Sequence, residues 1–260
     1  MKNIIWILRY IKRKGLSKNY YEDWKNYLNA WEKFWADFER YQQLADNNQG
    51  LNLSNLYPCI GDNTSETPIE PIYFHQDTWA FEHITKQKPS QHFDVGSNHK
   101  FVAFLSKIIP VTMVDIRPLA LSLNTLNFKE GSILDLPFSD ESIESLSSLC
   151  VVEHIGLGRY GDPLDPNGSE KAISELKRVL KPGGDLYISV PVDDCNKTFF
   201  NAHRAFSVDY LEKKFFPLET VEAKYIYGDY LVDNKRPGFG IGLFHFKKTS
   251  KVLEEENGHS

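Results

Sequence analysis

The chain has 260 residues, 41% hydrophobic and 25% charged, with a net charge of -5, which excludes a disordered polymer and offers no basic surplus for nucleic acid. Its three cysteines, Cys59, Cys150 and Cys195, are odd in number and scattered, so neither a disulfide framework nor a CxxC metal pair is expected, and a reducing cytoplasm is the expected location. Residues 1–15, MKNIIWILRYIKRKG, are too short to span a bilayer as a helix. At helical spacing Ile4, Ile7, Leu8 and Ile11 share one side, and Arg9, Lys12 and Arg13 lie mostly on the other. That pattern suits a peripheral helix on the inner face of a membrane, and equally a helix packed on protein. Between residues 20 and 43, Trp24, Tyr27, Leu28, Trp31, Phe34, Trp35, Phe38 and Tyr41 recur in steps of three and four. They form the stripe of a long helix, suited to a core or a homodimer contact. Residues 1–46 therefore read as a helical extension, 47–72 as a polar linker, 73–249 as the main domain and 250–260 as a flexible tail.

In the main domain strands and helices alternate. HFDVGS is a strand with its turn, KFVAFLSKI a helix, VTMVD a strand, SILDL a short strand and SLSSLCVV a fourth. EKAISELKRVL is an amphipathic helix stopped by KPGG, and DLYISV is the fifth strand. KYIYGDYLV and GIGLFHFKK follow as an antiparallel edge hairpin. The class is α/β: a doubly wound, mostly parallel sheet with helices on both faces and an N-terminal helical extension.

Ligands in such folds bind beyond the carboxyl ends of the strands. Strand one closes with Asp94, Gly96, Ser97 and Asn98, where glycine admits close backbone approach. Strand two closes with Asp115, followed by Ile116; an acid about twenty residues beyond the first turn is placed to accept ribose hydroxyls. Asp135 and Leu136 follow the third strand and offer a polar contact and an apolar wall for a purine. GLGRYG at 156–161 matches the G-x-G-x-x-G pattern, yet Pro163 and Pro166 follow where a helix should open. We read it as a loop facing a ligand or forming a lid, not as a phosphate cradle. Asp162, Asp165, Asn167 and Glu170 lack EF-hand spacing, and no metal is expected.

The run from Asp94 to Val190, with DVGS, VTMVD, ILDLPFSDESIESLSSLCVVEHI and above all ELKRVLKPGGDLYISVP in order, resembles the class I S-adenosylmethionine-dependent methyltransferases. VVEHIGLGRYGDPLDPNG, FNAHRAFS and GIGLFHFKK further resemble uncharacterised methyltransferase-like proteins associated with bacterial polysaccharide or sugar biosynthesis. The resemblance implies a Rossmann-like fold and S-adenosylmethionine as cofactor. It implies that Asp94, Gly96, Ser97 and Asn98 hold the methionine part, Asp115 and Ile116 the ribose side, and Asp135 with Leu136 the adenine. Tyr73, His75, Gln76 and Asp77, on the segment entering strand one, are secondary cofactor-contact candidates, and Tyr73 could equally pack the first helix on the sheet. Asn98 and Lys100 stand where many relatives carry glycine, and Lys100 is either a solvated first-turn residue or a cation near the sulfonium.

Methyl transfer to a hydroxyl needs positioning and a proton acceptor. His154 after strand four is the first candidate base and His203 the second, since histidine titrates near neutrality. Each could instead order its loop. Arg159, Tyr160, Asp162, Asn201 and Arg204 are expected on the acceptor side, the arginines pairing with a phosphate or carboxylate or forming structural salt bridges. The expected reaction is O-methylation of a sugar or glycan-precursor hydroxyl. The alternatives are a non-catalytic subunit of a membrane-proximal glycan complex and, less well supported, a nicotinamide-dependent oxidoreductase.

Overall fold

The computed structural model describes residues 19–45 and 52–249. The basic amphipathic segment 1–15 and the tail 250–260 lie outside them. The chain divides into two compact units after Pro68. In the first, helix α1 (Asn19–Leu44) runs 26 residues without glycine or proline. Its aromatic rings contact one another along the helix, with Trp31 stacked on Trp35 at 6.5 Å and Phe38 edge-on to Trp35 at 6.0 Å. Trp24, Tyr27 and Trp35 remain exposed. Among the described residues no helix is long and apolar enough to cross a membrane.

The second unit opens with helix α2 (Pro71–Gln87), started by Pro71 and capped by Glu70, whose carboxylate accepts from the Tyr73 amide. Then come β1 (His92–Val95), α3 (His99–Leu105), β2 (Val111–Asp115), β3 (Leu126–Glu130) and β4 (Ile143–Leu149). They are followed by α4 (Gly168–Val179), β5 (Leu180–Val192), β6 (Lys197–Phe199), β7 (His203–Ala205), α5 (Val208–Phe215), β8 (Leu218–Tyr227), β9 (Tyr230–Val232) and β10 (Gly240–Lys248). Eight strands form one sheet in the order β3-β2-β1-β4-β5-β10-β8-β9. The first five are parallel, and β10 and β8 run antiparallel beyond β5. This is the doubly wound α/β sheet with an antiparallel C-terminal edge that the strand–helix alternation implies. Ile173, Leu176, Leu211 and Phe215 of α4 and α5 fill the core of one face, and Trp79, Ile84, Val102 and Leu105 of α2 and α3 fill the other.

Four local assignments change. SILDL is a turn rather than the third strand: the Ser132 hydroxyl accepts from the Leu134 amide, and the Ser132 carbonyl from that of Asp135. The third strand is the preceding LNFKE, paired in register with β2 from Val111↔Leu126 to Asp115↔Glu130. As a sheet edge it needs few apolar residues, so its signal in the sequence is weak. β4 ends at Leu149; Cys150, at φ 53°, breaks it, and Val152–His154 form a 3-10 turn. KPGG does not separate helix from strand. β5 begins at Leu180, paired with Ile143, and the glycines lie at a register shift before Ser145↔Asp185. The late hairpin is β8–β9, turning at Gly228 and Asp229, and GIGLFHFKK is an inner strand between β5 and β8.

Candidate functional site

A cleft of about 740 Å3 opens beyond the carboxyl ends of β1, β2, β4 and β5, and a second lobe of about 410 Å3 adjoins it. Gly96, Asp115, Arg117, Cys150, His154 and Tyr160 line both, so the two are halves of one site. The parallel sheet creates this site. Its strands end at one level, and the chain leaving β1 turns one way while that leaving β4 turns the other.

At the end of β1 the chain turns through Gly96 at φ 70°, a conformation glycine adopts freely. Asp94 is buried, and its carboxylate accepts from the Ser97 amide at 3.0 Å and from the Ser147 hydroxyl. Burial pushes its pKa up to about 6. Asp94 therefore shapes the turn from below and does not line the cleft, correcting its assignment as a direct cofactor contact. Ser97 and Asn98 do line it, Ser97 accepting from the Leu149 amide and Asn98 capping α3 by accepting from the Lys100 amide. Lys100 itself is exposed and lines neither lobe. Asp115 stands at the junction of the lobes, its Oδ1 accepting from the Arg117 amide at 2.9 Å.

The smaller lobe is mostly apolar, walled by Val95, Val114, Ile116, Ile133, Leu134 and Val151. Leu136 and Asp135 are not part of it. Because the third strand ends at Glu130, the residues carried to the cleft are Gly131 to Leu134; Asp135 is exposed, and Leu136 is in the core. Gln76 is likewise displaced: it is buried, its carbonyl accepting from Ser189 and Cys150 and its amide donating to Asp77. Of the residues named with it, Tyr73 does line the cleft, together with Ile72, whereas His75 and Asp77 do not.

On the opposite wall stand Glu153, His154, Arg159, Tyr160 and His203. His154 Nδ1 lies 2.6 Å from the Ala202 carbonyl, which can only accept, so Nδ1 carries the proton and Nε2 keeps its lone pair. Desolvation holds its pKa down at about 4. His203 is also lowered by desolvation and packs between Phe199 and Phe239. The guanidiniums of Arg117 and Arg159 lie 4.7 and 5.1 Å from the centroid of the Tyr160 ring.

Glu153 is absent from the sequence reading. It is 2% exposed, and burial raises its pKa to about 8. Its Oε1 is 3.5 Å from His154 Nε2, and its Oε2 is buried without a hydrogen-bond partner. Only the adjacency to His154 in VVEHI could have drawn attention to it.

GLGRYG is a loop, as the prolines imply. The next helix opens only at Gly168, and the carboxylate of Asp162 accepts from the amides of Gly156 and Gly158, and from that of Tyr160. The chain's own anion thus occupies the donors a phosphate would need. Asp162 lines the smaller lobe, but as the organiser of this loop. Arg204 is a correction. It is buried, with one arm on the Ile155 carbonyl and the Ser169 hydroxyl and the other on the carbonyls of Asp165 and Pro166, and it lines neither lobe. Asn201 is exposed, at φ 61° in the β6–β7 turn, away from the cleft.

Solved structures share this architecture. N-methyltransferase NodS from Bradyrhizobium japonicum, in complex with S-adenosylhomocysteine, matches at a TM-score of 0.52 and 15% identity, over 69% of this chain and 88% of its own. The [4+2]-cyclase SpnF matches at 0.50 and 12% identity, over 67% and 82%. The fold is the Rossmann-like methyltransferase fold. Residues 135–223 match the family described as Caenorhabditis protein of unknown function, DUF268. That stretch contains the Glu153–Arg159 wall and His203, while Gly96 and Asp115 precede it. No curated protein matches the sequence.

Proposed function

We propose that the chain is an S-adenosylmethionine-dependent methyltransferase acting on a hydroxyl of a sugar or glycan precursor. The observation carrying this reading is the two-lobed cleft over the strand ends, with the bare turn at Gly96 and the carboxylate of Asp115 at its junction. The residues fit the cofactor. Asp115 would accept the ribose hydroxyls, the apolar walls at Ile116, Ile133 and Leu134 would enclose the adenine, and Ser97 and Asn98 would face the methionine part. Bound there, the cofactor supplies an electrophilic methyl group on a cationic sulfur. Lys100, being exposed, sets no cation against it. NodS, with its bound S-adenosylhomocysteine, supports this reading by analogy.

The acceptor would occupy the larger lobe, between the Arg117–Tyr160–Arg159 cluster and His203 with Phe239. Guanidiniums suit a phosphate or carboxylate on the acceptor, and aromatic faces suit a sugar ring. Cytoplasmic action, contact of residues 1–15 with a membrane and a homodimer through α1 belong to the same reading.

Calorimetry with S-adenosylmethionine and S-adenosylhomocysteine tests it. Both are expected to bind, and Asp115→Asn is expected to raise each Kd at least about tenfold, since a charge-assisted hydrogen bond contributes about 1.5–3 kcal/mol. Methylated product from nucleotide sugars, detected by mass spectrometry, would establish the acceptor class. Binding without product from any acceptor would favour a non-catalytic subunit, and affinity for NAD alone an oxidoreductase.

A further inference from the structure

Among the described residues only two buried side-chain polar atoms lack a hydrogen-bond partner, the Tyr187 hydroxyl and Glu153 Oε2. Tyr187 is buried within the core, stacked on His245, and lines neither lobe. Glu153 lines the larger lobe. A buried carboxyl group without a full set of partners is costly, and it is costliest when ionised. Its own backbone amide and the Cys150 thiol favour the carboxylate, yet burial outweighs them. His154 is held neutral with Nδ1 bound to the Ala202 carbonyl, and Cys150 and His203 are neutral as well. Arg159, on the glycine loop, is the one cation that favours the carboxylate. Asp77, from α2, acts on the neighbouring Cys150 thiol and has its own pKa raised to about 6 by burial. The site thus holds a buried acid that keeps its proton until a cation arrives.

We propose that Glu153 is the proton acceptor of the methyl transfer and, through its charge, the group by which the site tells the cationic cofactor from its neutral product. This rests on the cofactor reading above. The structure carries it through Glu153 Oε2, solvent-excluded and without a hydrogen-bond partner on the cleft wall. A sulfonium in the same cleft favours the carboxylate, so binding of S-adenosylmethionine drives a proton off Glu153. In the transfer, the acceptor oxygen forms a bond to the methyl carbon as the carbon–sulfur bond breaks. The bonding pair stays on sulfur, and the hydroxyl proton passes to the Glu153 carboxylate. What remains is a neutral acid beside a neutral thioether, the state burial prefers. The neutral product offers the carboxylate no opposite charge, so it lacks the attraction that tightens the cofactor.

The test is calorimetry of the whole chain between pH 6 and pH 8 in buffers of differing ionisation enthalpy, which counts protons released on binding. S-adenosylmethionine is expected to release up to one proton and to tighten by up to about tenfold per pH unit, levelling off near the free-protein pKa of about 8. S-adenosylhomocysteine shares every other group, and its affinity is expected to stay flat. Glu153→Gln, nearly isosteric, is expected to abolish the difference between the two ligands. Equal pH dependence for both ligands in the unmodified chain overturns the proposal without recourse to a variant. So does persistence of the linkage in Glu153→Gln shown by circular dichroism to be folded. If neither ligand binds a folded sample, the cofactor reading itself fails and the proposal falls with it; binding without differential linkage overturns the proposal alone.

Discussion

Arg204 shows how a guanidinium beside a ligand-binding region can serve the fold. Its four hydrogen bonds tie β7 to the loop of Ile155, Asp165 and Pro166 and to Ser169 at the start of α4. Arg204→Met keeps the bulk and leaves these acceptors without partners in a buried site. We expect a loss of about 3 kcal/mol by urea denaturation, with faster amide exchange in residues 156–168. A substrate-binding arginine would instead leave stability unchanged and raise KM. In the same loop, Gly156 adopts φ 82°, and a Cβ there would lie 2.1 Å from the Asp165 carbonyl oxygen. Gly156→Ala should therefore disorder this wall of the cleft, seen as faster amide exchange in residues 156–168, even though alanine adds one carbon.

At the scale of elements, β10 is the strand on which the antiparallel half of the sheet depends. It pairs with β5 from Gly240↔Val192 to Lys247↔Asp185 and with β8 on its other side. The strand can lie there only if its inner positions leave room. A Cβ on Gly242 would meet the Phe244 ring at 2.5 Å and Val192 Cγ1 at 2.9 Å. Gly242→Val should cost about 2–3 kcal/mol in denaturant midpoint despite valine's preference for strands, because overpacking outweighs propensity. The 3-10 turn after β4 has a different consequence: it points the Glu153–His154 pair at the cleft, where a continued strand would place successive side chains on opposite faces.

For the molecule as a whole, buried ionisable groups set the dependence of stability on pH. His92, between Ser145 and Ser147, is pushed down by burial to about 3, and His154 to about 4. Their neutral folded forms contribute stability that is full above about 6.5 and is lost as pH falls toward those values. Asp94 and Asp77, raised to about 6, and Glu153, raised to about 8, act oppositely. The folded state binds their protons more tightly, so their contribution is full below the ordinary carboxylate range and is lost as pH rises through the folded values. Between pH 4.5 and 6 the three acids outweigh the two histidines by about one group, so stability already falls slightly with pH. Above about 6.5 only Glu153 still changes, and stability should fall by up to about 1.4 kcal/mol per pH unit until about pH 8. Glu153→Gln should remove that fall, which chemical denaturation at pH 6, 7 and 8 would show.

The sequence by itself determines the alternation of strands and helices, the doubly wound sheet, the turn at Gly96 and the acid at Asp115. Each is written in a short window, as periodicity, a turn residue or a strand end, and short windows are what local backbone physics reads. Its errors lie where the signal is thin: LNFKE, an edge strand with little apolar content, gave way to the more apolar SILDL, and Asp135 and Leu136 were displaced with it. Only the tertiary structure decides which polar side chains face the cleft. Asp94 meets Ser147, Gln76 meets Ser189, and Arg204 meets Ile155, partners 53, 113 and 49 residues away along the chain. A side chain satisfied by such a partner is withdrawn from any ligand, and one with an oxygen left unpartnered, as Glu153 Oε2 is, remains available to it. No window of sequence contains both members of such a pair, so the division between structural and ligand-facing residues arises when the sheet brings them together.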